Sequence, residues 1–192
     1  MPVPSPPETP PAPHVLLKQW LPRAQRGHSG AQFVIGRLFA ENGRCARDFQ
    51  RARFWLNKSA AGGYGEAQAY LALLYRQGTL GFDQDNSRAV YWLKKAAESG
   101  IAGAQYYLSK MYAQGIGVQR SYVYAYMWAM IAATGSKAIG VIVPDPVRLR
   151  ENARRALEVY TQRMTPIETS AAIRMAKKWR VRILNADCNE SD

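Results

Sequence analysis

Side chains suited to nucleophilic, acid–base or metal chemistry are sparse in this 192-residue chain. His14 adjoins a proline-rich stretch and His28 falls in a loop, and neither has Cys, Asp or Glu at the spacing of a metal site or catalytic triad. Cys45 and Cys188 lie far apart in sequence and form no CxxC pair, which fits two separate thiols in a reducing compartment. Asp83 and Asp85 stand among turn formers, where Asx turns and helix N-caps account for carboxylates. Gly62-Gly63-Tyr64-Gly65 lacks the GxGxxG spacing and follows a helical pattern rather than a strand, so it reads as a turn and not a phosphate cradle. The expectation is a protein that is not an enzyme, with no metal site and no cofactor.

What remains is the chemistry of contact. The chain carries a formal charge of +12, with 47% hydrophobic and 21% charged residues, a balance that supports a folded core. Residues 18–60 and 137–182 each carry +7, whereas residues 61–136 carry only +2. Arg174, Lys177, Lys178, Arg180 and Arg182 gather around Trp179, a basic patch suited to phosphates or an acidic protein face, or simply to solvent. No apolar run reaches the length of a membrane span, and the N-terminus does not read as a secretory signal, so the expected location is cytoplasmic. Seven of the first thirteen residues are proline, which favours a disordered tail over residues 1–13, with a ligand for an aromatic groove as the alternative.

The elements that would position such contacts emerge from a repeat. GAQFVIGRLFAENG from Gly30 is echoed by GEAQAYLALLYRQG from Gly65 and GAQYYLSKMYAQG from Gly103. Ala31, Ala67 and Ala104 open the three copies; Ile35-Gly36, Leu71-Ala72 and Leu108-Ser109 follow; Phe39, Tyr75 and Tyr112 close them. A second block aligns Ala52, Ala89 and Ala125, then Trp55, Trp92 and Trp128. The spacing leaves one extra loop residue in the middle copy. Apolar residues at positions one, four, five, eight and nine of each first block have the period of a helix. Asn42, Gly78 and Gly115 stand where a left-handed residue ends it. Each copy therefore predicts a helical hairpin, with Gly36, Ala72 and Ser109 small enough for close approach and the tryptophans filling space toward the next copy. A fixed period of this length signals stacked supersecondary units.

The pattern resembles the SEL-one-like repeat (SLR) family, a tetratricopeptide-like branch of the α-solenoids, whose units read A-Q-x-x-L-G-x-x-Y-x-x-G and then A-x-x-W-x-x-K-A-A-x-x-G. Lys58 and Lys95 match its lysine, while Ile131 replaces it in the third copy, Asn42 replaces a glycine and Ser121 an aspartate. The resemblance implies an all-α fold, a right-handed superhelix of hairpins, over residues 30–135. It also implies an N-terminal capping helix at residues 14–29, a C-terminal helical pair at 148–184 and a bacterial source. Independently of it, Thr165, Pro166 and Glu168 spell a capping box that starts a helix running to about Ile183. Residues 136–147 read as a loop that packs across the end of the solenoid, or alternatively docks a partner; residues 185–192 read as an acidic tail.

In such a stack the first helices line a concave face. Positions three, seven and ten should point into it, which nominates Phe33, Arg37, Leu73, Arg76, Tyr106 and Lys110 as a partner-binding groove, along with Ala40, Ala69 and Ala113. Aromatic and arginine side chains are the usual anchors of recognition. The expected function is a non-catalytic protein–protein interaction module, an adaptor, assembly or regulatory scaffold for a protein or peptide. An inhibitor or immunity-type protein that masks an effector is one version. An electrostatic binder of nucleic acid or an anionic surface is the alternative from another class.

Overall fold

The computed structural model describes residues 12–43, 45–134 and 145–189, with side chains described as far as Val181. The described residues form nine helices and no strand: α1 (Pro13–Gln25), α2 (Ser29–Asn42), α3 (Ala46–Ala61), α4 (Gly65–Gln77), α5 (Asn86–Glu98), α6 (Ala102–Gln114), α7 (Tyr122–Thr134), α8 (Pro146–Thr161) and α9 (Pro166–Asn189). They divide into two compact units, the first ending at Tyr64 and the second beginning at Gly65.

In the first unit α2 and α3 form a hairpin and α1 packs on α2. A Cβ on Gly36 would lie 2.8 Å from Leu56 Cγ and 3.0 Å from the Leu56 backbone nitrogen, so the glycine sets how closely α2 meets α3. Ala24, Ala31 and Ile35 are fully buried, with Leu17, Trp20, Leu21, Phe39 and Trp55 against them. Trp55 packs against this cluster, half-buried on α3. The His28 imidazole caps α2 by accepting from the Ala31 amide at 3.2 Å. Gln32 donates from its buried amide to the Ala24 carbonyl at 3.1 Å, closing the end of α1. Asn42 is not the left-handed residue its position predicts. It stays helical, with its side chain donating to Leu38 O at 3.1 Å, and Gly43 follows with an extended backbone at φ −66°.

In the second unit α4–α5 and α6–α7 are hairpins, α5 packs on α6, and α8 and α9 both pack on α7. Leu71, Leu93, Leu108, Trp128 and Ile131 are buried. The extra residue of the middle copy falls in the loop after α4, where Gly78, Leu80 and Gly81 all have positive φ. Phe82 pins that loop, 4% exposed and edge-on to Tyr75 at 4.9 Å between ring centroids. Asp85 then caps α5 by accepting from the Arg88 amide at 2.9 Å. Gly115 ends α6 in the left-handed conformation at φ 72°, as its spacing predicts. The capping box of α9 is complete: the Glu168 amide donates to Thr165 Oγ1 at 3.3 Å and the Thr165 amide to Glu168 Oε2 at 2.8 Å.

Several boundaries move. Pro13 belongs to the first turn of α1, not to a tail; residues 1–11 lie outside the described residues. The N-terminal helix ends at Gln25 rather than 29, because Gly27 takes φ 95° and Ser29 already opens α2. Asp145, expected in the loop, caps α8 by accepting from Val147 and Arg148 amides, with Pro146 at its first position; residues 135–144 lie outside the described residues. α9 runs to Asn189, beyond Ile183 and into the stretch read as an acidic tail, of which residues 190–192 lie outside the described residues.

Candidate partner-binding surface

The nominated groove residues sit on α2, α4 and α6, the first helix of each hairpin. In the first unit Phe33 does not point into open space. It is 4% exposed, because the Tyr64 ring lies against it at 5.3 Å between centroids. Arg37 is half-buried, its guanidinium 5.9 Å from the centre of the Phe33 ring and ion-paired with Glu41 one turn on. Phe33 is thus a core residue, and Arg37 presents a charge already shared with a neighbour.

In the second unit Ala69 is fully buried, but Leu73, Arg76, Tyr106 and Lys110 all stay half-buried. Tyr107, read from its position as core, organises them. The Arg76 guanidinium stands 5.3 Å from its ring centre and the Lys110 ammonium 5.8 Å. Lys110 is also 5.9 Å from the Tyr106 ring centre. Leu73, Arg76 and Tyr107 share a shallow niche with Ala72 and Leu93. Each cation is held by an aromatic face with its remaining hydrogen-bond donors available.

A larger feature opens beside it. Tyr106 and Lys110 of α6, Tyr122 of α7, and Asn152, Arg155, Val159, Tyr160 and Arg163 on and just beyond α8 line a cleft of about 410 Å³. Tyr160 is 6% exposed and burial raises its phenol above the usual value, despite a side-chain hydrogen bond with Ser109 that acts the other way. Burial raises the Tyr106 phenol as well, with Tyr107 adding to it. Both hydroxyls therefore remain neutral donors at physiological pH. The sequence gives no sign of this cleft, since it exists only where α8 folds back beside α6 and α7.

On α9, Arg174, Lys177, Lys178 and Arg180 are exposed, while the side chain of Arg182 lies outside the described residues. Trp179 is not the centre of this patch: it turns inward, edge-on to Trp128. The Cys45 thiol is exposed and donates to Asp48 Oδ2 at 3.4 Å, and the side chain of Cys188 lies outside the described residues. Among the described residues no three His, Cys, Asp or Glu side chains cluster as metal ligands, and no helix is long and apolar enough to cross a membrane.

The three hairpins, each with a small residue between its helices, coincide with three matches to the Sel1 repeat at residues 29–64, 65–101 and 102–136. The chain belongs to the Sel1 repeat family. Two solved bacterial structures agree. A protective antigen of uropathogenic Escherichia coli displaying an SLR fold is 26% identical, with a TM-score of 0.70 over 85% of this chain and 32% of its own length. A Sel1 repeat protein from Oxalobacter formigenes is 29% identical, with a TM-score of 0.61 over 74% of this chain and 97% of its own. The chain thus spans about a third of the E. coli antigen. No protein of curated function matches it. The Sel1 repeats and SLR neighbours support a protein-interaction repeat module built as an all-α solenoid.

Proposed function

We propose that this chain is a non-catalytic interaction module, an adaptor, assembly or regulatory scaffold, that holds a peptide or protein surface on the inner helices of its hairpins. The observation that carries the reading is the group Leu73, Arg76, Tyr107 and Lys110 on α4 and α6, where half-buried aromatic and aliphatic side chains share space with two cations. Tyrosine and arginine, here Tyr107 and Arg76, are among the side chains that most often anchor protein interfaces. An inhibitor that masks an effector is a special case and needs no chemistry of its own.

The exposed cations of α9 favour a second reading, an electrostatic binder of nucleic acid or an anionic surface. Salt separates the two, since phosphate-driven association falls steeply as salt rises while burial of apolar surface does not. The test is capture from nuclease-treated lysate of the native cell at moderate and high salt. A defined protein held at high salt and lost in Arg76→Glu supports the module. Retention of nucleic acid alone, released by salt and abolished by reversing Lys177 and Lys178, supports the electrostatic reading instead.

A further inference from the structure

We infer that the cleft between α6, α7 and α8 seats an acidic segment of the partner protein. The inference rests on the interaction-module reading and names the chemistry of what that module binds. Among the described residues three cations line the cleft, Lys110, Arg155 and Arg163, and no carboxylate does. Arg155 is already engaged by Glu151, one turn earlier on α8, at 2.6 Å. Lys110 and Arg163 form no ion pair among the described residues and are the cations assigned to the ligand. The Lys110 ammonium is held between the Tyr106 and Tyr107 rings before anything binds, whereas Arg163, its main-chain amide tied to the Tyr160 carbonyl at 2.9 Å, presents an exposed side chain to the cleft. Lys110 is half-buried, so its attraction for a carboxylate is screened less than that of a fully exposed cation.

The rest of the lining suits a polypeptide. Val159 is 53% exposed on the cleft wall, an apolar surface for an aliphatic side chain, and the Gln114 and Asn152 amides offer both donors and acceptors to a main chain. The volume falls in the range of about 300–1,000 Å³ typical of ligand sites. Nucleic acid fits poorly. Sites for single strands use open aromatic faces on which bases stack, whereas here Tyr160 is buried, Tyr122 lies against it at 6.1 Å, and Tyr106 already carries the Lys110 ammonium.

The experiment presents the full chain with fluorescein-labelled pools of random octapeptides, one rich in glutamate, one in glutamine and one in lysine, and reads retention by anisotropy. The glutamate pool should be retained best. Lys110→Gln with Arg163→Gln should weaken it by about tenfold or more, while Arg174→Gln on α9 leaves it unchanged; melting curves confirm that each variant is folded. Equal retention of the glutamine pool, no retention of the glutamate pool, or an unaltered affinity in the double variant would each overturn the inference. So would displacement of the bound pool by single-stranded oligonucleotide but not by unlabelled acidic peptide, which would assign the cleft to nucleic acid. A lysate partner that the double variant still captures, and that Arg76→Glu loses, would remove the cleft from the account and leave the interaction module standing.

Discussion

The indole rings of Trp128 on α7 and Trp179 on α9 meet edge to face, their centroids 5.7 Å apart and their planes inclined by 70°. The pair joins the last repeat to the terminal helix, so a residue surrounded in sequence by Arg and Lys serves as an internal seal. Trp128 is 6% exposed, whereas Trp92, its counterpart one repeat earlier, is half-buried. Trp128→Ala should therefore cost about 3–5 kcal/mol and lower the melting temperature by roughly 10 °C. Trp92→Ala should cost distinctly less. Equal losses in thermal melts would contradict the difference in burial.

Gly36 carries a second prediction. Adding a methyl group there drives Cβ into Leu56, against its backbone as well as its side chain, so the clash is not relieved by a rotamer change. Gly36→Ala should destabilise by about 1–3 kcal/mol, even though alanine is the better helix former by about 1 kcal/mol. A gain in denaturant midpoint would mean that α2 and α3 are less tightly apposed than described.

The capping box gives a pH dependence. Hydrogen bonds from the Thr165 amide and hydroxyl hold the exposed Glu168 carboxyl below its usual value. A folded value below the unfolded one means the contribution is fully present above the unfolded carboxyl's pKa, about 4.3, and is lost as pH falls through the lower folded value. Glu168→Gln keeps the shape and removes the charge. It should melt below wild type at neutral pH, with the two curves converging in acid; a gap independent of pH would remove the carboxylate from the account.

Arg76→Glu separates binding from folding. Its guanidinium rests on Tyr107 and makes no ion pair among the described residues, so the stability loss should stay near the roughly 0.5–1 kcal/mol of a solvent-accessible cation–π contact. Capture of the partner should fall much further. Comparable losses in melting and in capture would mark Arg76 as structural.

The hairpins were legible because each apolar residue recurs at a fixed offset and each small residue sits where two helices must touch, as Gly36 and Leu56 confirm. The groove was less so. The helical period and the small residue of each copy accounted for part of each first helix, but α6 buries Ala102, Gly103 and Gln105 as well, because it touches α5, α7 and α8. Ala69 is buried within the second unit's core, and the turn residue Tyr64 covers Phe33, a contact that no periodicity encodes. Tyr160, Arg155 and Arg163 were invisible as site residues for a related reason: their role depends on where α8 docks, and nothing in α8's own sequence names that place.

The buried glutamines act as measuring rods. Gln32 reaches back to Ala24 and Gln105 to Ala97, each bond spanning eight residues, and a side-chain amide has a fixed length. The turn leading into each of these helices is thereby locked to one size, since one more residue would carry the amide out of reach and leave a buried donor without its carbonyl. The extra residue of the middle copy sits in the loop inside its hairpin, where the Gln84 amide likewise reaches back eight residues to the Arg76 carbonyl at 3.1 Å and Phe82 is buried, so that loop is held at its longer size. Length is therefore set connection by connection: the turn between α5 and α6 keeps the size that Gln105 measures, and the loop between α4 and α5 keeps the longer one that Gln84 measures.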